Sequence, residues 1–407
     1  MRDTPASPSF WRSPLRGPWF TSVLGLVLLV GITALFVTGL VSYAAYNPGL
    51  APVNDKTPDK GILGFYLFAW PTDPHWLYRL TQGVHVTLGI ALIPVLLAKL
   101  WSVVPKLFAL PPARSLTHAL ERVSLLLLVG GGLFEFVTGV LNVQLDYLFP
   151  GSFYPLHFYG AWVFFAAFVA HAVLKVPAAV RNVRRAREEG ELVAPRPDPP
   201  TVSRRGALWF VGGGSLLLFG TTAGQSFDGP LRRTALLAPH GGAAPGTGPN
   251  GFQINKTAAY AGIDRAETAE EAWRLVVVGR SGRTVRLSRA ELAQLPLHSS
   301  ALPIACVEGW STSDQWWRGV RLRDLAALVG HDGDPPDVLV ESLQRRGAFR
   351  HAALRANQVA DPRSLLALYV NGEALSADHG YPARVIVPAA PGVLNTKWVA
   401  RLTFGKV

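Results

Sequence analysis

The sequence predicts a chain in two parts, a bundle of membrane-crossing α-helices followed by a mixed α/β domain. Apolar residues make up 49% of the 407 residues and charged residues only 16%, which is too apolar for an ordinary soluble protein of this length. The excess of apolar residues is distributed unevenly along the chain. Long apolar runs fill the first half, whereas short β-like runs alternate with turns in the second half, at residues 273–278, 337–341, 366–370 and 384–388, with a helical piece at 322–328.

Four apolar stretches of about 20 residues or more are each long enough to cross a bilayer at about 1.5 Å per residue. A fifth stretch is shorter and rich in glycine. The predicted spans are residues 19–43, 76–104, 123–148, 156–180 and 207–222. Only a few residues around Pro150 join the third and fourth spans, so these two should form an antiparallel hairpin.

Basic residues indicate the orientation of the predicted spans. They cluster before the first span, between the second and third, and after the fourth, which predicts that these segments are cytoplasmic: Arg2, Arg12, Arg16, Lys99, Lys106, Arg114, Arg122, Arg181, Arg184, Arg185 and Arg187. The fifth span then carries the α/β domain out of the cytoplasm. The net charge of +12 is therefore interpreted as orientation signals in a multi-pass cell-membrane protein, and nucleic-acid binding is not expected.

This topology divides the chain into six segments. They are a cytoplasmic tail (1–18), a four-helix membrane domain (19–182), a basic cytoplasmic linker (183–203), a fifth membrane helix (204–225), a flexible linker (226–251) and the α/β domain (252–407). Ser203-Arg204-Arg205-Gly206 resembles a twin-arginine export signal, here internal. The alternative is an ordinary pair of cytoplasmic arginines.

Four histidines of the membrane half are candidate metal ligands, because a polar residue inside the bilayer is unfavourable and is a functional candidate by default: His85, His118, His157 and His171. His157 and His171 are 14 residues apart, so they project from one helix face about 21 Å apart along the axis, a spacing that suits two stacked haems. By depth, His85 pairs with His157 and His118 with His171, each with a mismatch of about 10 Å. A single haem between His85 and one histidine of the fourth span is the alternative.

The histidine pattern resembles four-helix bacterial cytochromes b, such as the membrane subunit of formate dehydrogenases, in which helix-borne histidines bind two b haems. The first span here has no histidine. The resemblance implies one or two b haems, membrane lipid as surroundings, and a quinone or quinol as electron partner. Glu135, in the third span, is a candidate for proton handling near a quinone, or else a hydrogen-bonded structural carboxyl.

The second half is organised around Cys306, the only cysteine in the chain. A lone thiol is a core filler, a nucleophile, or the single protein ligand of a metal held mainly by something else. An apolar run ends at Cys306 and gives way to Glu308, Gly309, Trp310 and Ser311, which is typical of a strand that delivers a side chain to a loop.

Residues 306–311 resemble the Cys-Val-Glu-x-Trp-Ser run that binds molybdenum in the sulfite oxidase superfamily, in the branch that includes the methionine sulfoxide reductase catalytic subunit. Further segments match in the same order over roughly residues 253–407: Trp317, Gly319, Val320 and Leu322, then Asn371 to Leu375, His379 to Pro388, and Lys397 with Trp398. Ala305 stands where this branch tends to carry arginine. Residues 393–396 replace a segment that usually includes a basic residue, and the Ala-Gly-Asn-Arg run of sulfite oxidases is missing after Cys306.

The resemblance implies a sulfite oxidase fold for residues 252–407 and a molybdenum ion held by the two dithiolene sulfurs of a molybdopterin, oxo or hydroxo groups, and the Cys306 thiolate. It implies two-electron oxygen-atom transfer on a small-molecule or protein-bound oxo substrate. The residues expected to contact the cofactor are Glu308, Trp310, Ser311, His379, Arg384, Lys397 and Trp398.

Three functional hypotheses follow. The first is a membrane-anchored molybdopterin oxidoreductase whose own cytochrome b half exchanges electrons with the quinone pool. The second is a non-catalytic electron-transfer cytochrome whose outer domain binds a partner. The third is a cysteine hydrolase that uses Cys306 with His351 or His379.

Overall fold

The computed structural model of the protein describes residues 8–46, 70–107, 115–144, 153–193, 202–227, 229–239, 248–346 and 350–405. The chain divides into two compact units. The helical unit comprises Met1–Val37 and His85–Gly220, and the sheet unit comprises Thr38–Val84 and Thr221–Val407. The predicted turn at Pro150, most of the connection after the first span, the middle of the predicted flexible linker, Arg2 and Arg114 lie outside the described residues.

Within the described residues, five helices are long and apolar enough to cross a membrane, as the sequence predicts. They are α1 (Pro18–Tyr46), α2 (Leu77–Leu107), α3 (Leu116–Gln144), α4 (Phe153–Arg184) and α5 (Arg204–Ala223). One predicted start is corrected. Helix α3 begins at Leu116 rather than at residue 123, so His118 lies inside it. The hydrophobic pattern missed this start because the first turn is polar. Helix α5 begins at Arg204, where the predicted fifth membrane helix (204–225) begins, so it includes both arginines of the Ser-Arg-Arg-Gly run.

Glycines allow α3 and α4 to pack closely in the helical unit. A Cβ atom at Gly131 would lie 3.1 Å from the Cβ of Phe164, and a Cβ at Gly160 would lie 3.0 Å from the ring of Phe134. Small residues at such positions let helix backbones approach each other. Gly131 and Gly160 are therefore points of close contact between the two helices.

The segments predicted to be cytoplasmic contact one another within the helical unit. The amide of Ser13 donates to the carbonyl of Leu192 (2.9 Å), which joins the N-terminal segment to the connection between α4 and α5. The guanidinium of Arg16 donates through Nε to the carbonyl of Trp101 (3.2 Å), near the end of α2. One end of the bundle thus collects the N-terminal segment, the end of α2 and the connection that follows α4.

The sheet unit contains two five-stranded sheets. In the first the order is β2-β1-β10-β5-β6, with β1 and β10 parallel and the other neighbours antiparallel. In the second the order is β3-β4-β7-β8, with β9 also paired to β7. The strands are β1 (Leu275–Val278), β2 (Thr284–Leu287), β3 (His298–Leu302), β4 (Gln315–Arg321), β5 (Val338–Ser342), β6 (His351–Leu354), β7 (Leu365–Val370), β8 (Glu373–Ala374), β9 (Arg384–Ile386) and β10 (Val399–Phe404).

The predicted β-like runs are confirmed as β1, β5, β7 and β9, and the predicted helical piece is α9 (Leu322–Ala327). Alternate residues of β1, Leu275 and Val277, are buried in the core, as the two-residue period of a strand requires. The other short helices are α6 (Ala258–Ala261), α7 (Arg265–Thr268), α8 (Arg289–Gln294) and α10 (Ala356–Ala360).

The end of α1, the segment before α2 and the first turns of α2 belong to the sheet unit. The indole of Trp70 donates to the carbonyl of Ala389 (2.8 Å), and the amide of Ala389 donates to the carbonyl of His75 (3.0 Å). Arg363 forms an ion pair with Asp73 (2.7 Å). Hydrogen bonds and an ion pair therefore hold the segment that precedes α2 in this unit.

Candidate functional site

Cys306 lies at the tip of a tight hairpin that extends β3 and β4. The hairpin, residues 305–311, is closed by an antiparallel bridge between Ala305 and Ser311. The amide of Cys306 donates to the carbonyl of Trp310 (2.9 Å), and the amide of Gly309 donates to the carbonyl of Cys306 (3.1 Å). Gly309 has φ +90°, a left-handed conformation that only glycine adopts without strain. We call this segment the Cys306 hairpin.

The Cys306 thiol is buried beside an amide and a carboxyl group. Asn255 Nδ2 lies 3.4 Å from Sγ, and Glu308 Oε2 lies 3.5 Å from it and also accepts a hydrogen bond from the indole of Trp310 (2.9 Å). Burial, and then the charge of Glu308, raise the pKa of the Cys306 thiol well above its usual value. A cation bound to the sulfur would reverse this preference, because the thiolate is the form that binds a metal.

The same unit contains the buried cation Arg384 and the half-buried cation Lys397. Arg384 donates to the carbonyl oxygens of His379 (3.1 Å) and Asn395 (3.0 Å), and Lys397 Nζ donates to two backbone carbonyl oxygens at 2.6 and 2.9 Å. Burial lowers the pKa of Arg384 to about 9 and that of Lys397 to about 7, where the charge of Arg384 contributes second. An anion placed beside these groups would stabilise their charged forms.

Several buried polar atoms around these cations have no hydrogen-bond partner in the part of the chain that is described. They are both ring nitrogens of His379, Nε of Arg384, Nδ2 of Asn395, Oγ1 of Thr396 and Oδ1 of Asn255. Burial first, and then the neighbouring cations Arg384 and Lys397, lower the pKa of His379 to about 3, so its imidazole is neutral at pH 7. Buried polar groups are normally hydrogen bonded, so this set points to a polar group that binds among them.

Phe252 connects the two parts of the site. It packs in the same apolar cluster as Cys306, and its ring lies edge-on to the His379 ring with 3.8 Å between the centroids. The structure thus brings together Cys306, Glu308 and Trp310, and it places His379 against Phe252, a member of the same apolar cluster as Cys306.

Ser311 and Trp398 have other contacts. The amide of Ser311 donates to the carbonyl of Gln225 (3.1 Å), and its carbonyl accepts from Arg232. The buried indole of Trp398 donates to the carbonyl of Ala377 (2.7 Å). Both residues hold neighbouring backbone segments in place.

Sequence reasoning missed Asn255 and Lys256. Asn255 reaches the Cys306 sulfur, and the carbonyl of Lys256 accepts a hydrogen bond from Lys397 (2.6 Å). Both lie where the sequence predicts a boundary between linker and domain, and no periodic pattern marks them. An amide followed by a cation, just after the predicted linker, is the one local signal that they carry.

The contacts of the histidines weigh against a cysteine hydrolase. His351 lies on β6 beside Glu341 (3.6 Å), its partner across the sheet on β5. The described polar neighbours of the Cys306 sulfur are Asn255 and Glu308, neither of which is a histidine base.

In the helical unit the structure brings together His85 and His157, from α2 and α4. Their ring centroids are 6.4 Å apart, and their planes are nearly perpendicular at 86°. Nδ1 of His85 lies 3.0 Å from the carbonyl of Leu35, and Nδ1 of His157 lies 3.0 Å from Oε2 of Glu135. Each ring is thus oriented through Nδ1.

The other predicted pair, His118 and His171, has a different charge environment. Lys99, Lys175 and Glu121 interact electrostatically with His171. The Lys99 ammonium also donates to a backbone carbonyl of α1 (2.7 Å). A second haem on His118 and His171 therefore stays a prediction.

Comparison with known proteins agrees with the geometry of the sheet unit. Residues 261–407 match the family model described as "Oxidoreductase molybdopterin binding domain". Mitochondrial sulfite oxidase of Rattus norvegicus is 32% identical over 33% of this chain and 29% of its own length. "Uncharacterized oxidoreductase YuiH" of Bacillus subtilis is 31% identical over 33% of this chain and 66% of its own length.

Among solved structures, the sulfane dehydrogenase SoxCD of Paracoccus pantotrophus matches at 24% identity with a TM-score of 0.30, over 33% of this chain and 39% of that one. The chain thus spans between 29% and 66% of the relatives named here. Residues 261–407 are an oxidoreductase molybdopterin-binding domain of the sulfite oxidase family.

Proposed function

We propose that this chain is a membrane-bound molybdopterin-dependent oxidoreductase that transfers oxygen atoms in two-electron steps outside the cytoplasm and exchanges the electrons with the quinone pool through b haem. The observation that carries the proposal is the pairing of a single buried thiol with a set of unsatisfied buried polar atoms on His379, Arg384, Asn395 and Thr396.

The residues of the sheet unit fit a molybdopterin. Cys306 supplies one soft sulfur ligand, which suffices when the cofactor brings the other donors. Arg384 and Lys397 provide buried positive charge for an anionic group such as a phosphate, and neutral His379 can both donate and accept a hydrogen bond. When bound, the cofactor supplies the two-electron oxygen-atom chemistry.

The chain's own groups then hold the metal ligand and its surroundings. Trp310 fixes the Glu308 carboxyl by a 2.9 Å hydrogen bond, and Asn255 Nδ2 lies 3.4 Å from the sulfur. These contacts restrict the direction in which the sulfur lone pairs point. The burial of Cys306 keeps water from the thiolate, which strengthens its interaction with a cation.

A b haem fits between His85 and His157. A metal–imidazole bond is about 2 Å long, so an ion held by two histidines separates their ring centres by roughly 6 Å, close to the observed 6.4 Å. The Nδ1 contacts to the Leu35 carbonyl and to Glu135 orient the two rings, as a second group orients a metal-binding histidine in other proteins. Glu135 is then a positioning carboxyl for His157.

The contacts at the helix ends support the proposed topology. The end of α1, the start of α2 and the segment after α5 belong to the same compact unit as the molybdopterin-binding domain. Those are the ends that the positive-inside rule places outside the cytoplasm. The basic segments that the rule places inside contact one another, as Ser13 does with Leu192. A quinone in the lipid is the electron partner that this placement favours.

Metal analysis of the purified full-length chain tests the proposal. We expect about one molybdenum per chain and a haem absorbance spectrum. Cys306→Ser should abolish oxygen-atom transfer and leave the haem absorbance unchanged, with Ser299→Ala, an exposed residue of β3, as the control. A chain that holds haem and no molybdenum would indicate the non-catalytic cytochrome, and turnover retained in Cys306→Ser would disprove the ligand assignment.

A further inference from the structure

The Cys306 hairpin contacts parts of the chain that lie before residue 261, where the molybdopterin-binding domain begins. Ala305 packs in a buried apolar cluster with residues from the end of α1, the segment before α2 and the first turn of α2, namely Ala44, Ala45, Trp70 and Tyr78. The residue next to the candidate metal ligand is thus covered by the outer ends of two helices.

Two carbonyl oxygens of the hairpin accept hydrogen bonds from residues outside the domain. The Val307 carbonyl accepts from Nε2 of Gln82, on α2, and the Gly309 carbonyl accepts from the hydroxyl of Ser226 (3.0 Å), just after α5. Arg79 of α2 donates in turn to the Ser226 carbonyl (3.0 Å). Helix α2 and the turn after α5 therefore hold the same loop together.

A third carbonyl is held by a buried arginine. Arg232 donates to the carbonyls of Ser311 and Gln225 and to the side-chain oxygen of Gln253 (2.6 Å). Ser311 also donates its amide to Gln225 (3.1 Å). Charge-assisted bonds to a buried guanidinium are among the stronger polar contacts in proteins, so the base of the hairpin is held firmly.

Gly83 allows α2 to lie close to Ser226 and the Cys306 hairpin. A Cβ atom at this position would lie 2.7 Å from the hydroxyl oxygen of Ser226 and 3.9 Å from the Gly309 carbonyl. Only a residue without a side chain lets the hydroxyl reach that carbonyl undisturbed. The helix therefore has glycine at the point of contact with the hairpin.

Odd-numbered and even-numbered residues of the Cys306 hairpin have different contacts. The contacts to segments outside the domain use positions 305, 307, 309 and 311, whereas the side chains of Cys306, Glu308 and Trp310 hydrogen bond with one another. We propose that Gln82, Ser226 and Arg232 are positioning residues of the molybdenum site, which clamp the backbone of the Cys306 hairpin from outside the molybdopterin-binding domain.

The clamp would hold the candidate metal ligand in a fixed position. A metal ligand has to be held within a fraction of an ångström, and a hairpin tip that contains glycine in a left-handed conformation is a flexible support by itself. Two of the three donors stand on rigid or buried supports, α2 for Gln82 and the hydrogen-bonded, buried Arg232. The inference rests on the proposed function only for the role of Cys306, since the contacts themselves need no cofactor.

Gly83→Ala and Gln82→Met in the full-length, cofactor-loaded chain test the clamp. Alanine is the better helix former, so Gly83→Ala should not unfold α2, yet its Cβ pushes the Ser226 hydroxyl away from the Gly309 carbonyl. We expect backbone amides of residues 306–311 to exchange hydrogen about fivefold faster in either variant, the change expected from one lost hydrogen bond. Gly130→Ala is the matched control, because a Cβ at Gly130 meets nothing within 4 Å.

A spectroscopic readout separates positioning from plain stability. At equal molybdenum content, the Mo(V) electron paramagnetic resonance signal should shift or broaden in Gln82→Met and in Arg232→Met, and Arg232→Lys should restore part of it. Gln344→Met is the control, since Gln344 also donates its amide to a backbone carbonyl but lies away from the hairpin. Exchange rates within twofold of the parent chain, or an unchanged signal in both variants, would overturn the clamp. A chain without molybdenum would instead overturn the proposed function, and the exchange measurement would still decide the clamp.

Discussion

Ala305→Arg provides a sharp test of the structure around the candidate metal ligand. Arginine is the residue that the methionine sulfoxide reductase branch tends to carry at this position, so the substitution asks whether the site is open to substrate or closed by packing. Ala305 is buried among Trp70, Tyr78 and two alanines, and its carbonyl accepts a hydrogen bond from the Gly392 amide (2.6 Å). The packing around Ala305 therefore leaves no room for a long charged side chain.

The cost follows from two effects. Burying a guanidinium without a carboxylate partner costs several kcal/mol. Forcing a larger side chain into a filled apolar cluster adds about 1–3 kcal/mol. We expect Ala305→Arg to lower the free energy of unfolding of the sheet unit by about 5 kcal/mol. At about 2–4 °C per kcal/mol for a unit of this size class, the Tm should fall by roughly 10–20 °C.

Thermal unfolding of the solubilised full-length chain, followed by tryptophan fluorescence, measures this shift because Trp70 and Trp310 are buried near Ala305 and Cys306. Ala305→Ser is the control, since it adds one small polar atom and no charge. If Ala305→Arg instead left the Tm within a few degrees and conferred methionine sulfoxide reduction, the position would be part of an open substrate site, and the packing argument would be refuted.

The remaining predictions concern the five long helices. His85→Ala should remove a b haem, measured as pyridine haemochrome per chain, whereas His171→Ala should leave that haem in place; loss in both variants would contradict the pairing across α2 and α4. Glu135→Gln keeps a hydrogen-bond acceptor but removes its charge, so we expect the haem to be retained with a raised midpoint potential, measured by redox titration, and an unchanged potential would make Glu135 a packing residue. Arg204→Lys combined with Arg205→Lys should keep the sheet unit in the cytoplasm while the first four spans insert, and a C-terminal reporter that still appears outside would rule out twin-arginine export.

Local patterns were sufficient to predict the five long helices and four of the ten described strands. The apolar runs that became α1 and α2 are recognisable because about 20 apolar residues in succession are typical of a helix that crosses a bilayer. The strands β1 and β7 are recognisable because their β-branched and aliphatic residues lie between turn signals. The start of α3 at Leu116 escaped prediction, since a polar first turn carries no hydrophobic signal.

The candidate metal ligand could also be named from the sequence, because a lone cysteine inside a recognisable motif indicates its chemistry. The groups that contact Cys306 and its hairpin could not be predicted from the sequence. Asn255 lies 51 positions from Cys306, and the donors Gln82 and Arg232 lie 225 and 79 positions from the carbonyl groups that they hold. No periodicity relates residues so far apart in the chain.

What the sequence by itself determined is therefore the five long helices, four of the ten described strands and Cys306 as the candidate ligand, whereas the orientation of the helices stays a prediction. Only the tertiary structure decided which groups meet: His85 with His157, Glu135 behind His157, and the segments outside the molybdopterin-binding domain against the Cys306 hairpin. The physical reason is that apolar patterning sets which face of an element is buried and is silent about its partner, whereas hydrogen bonds depend on angles and distances that only the packed chain fixes.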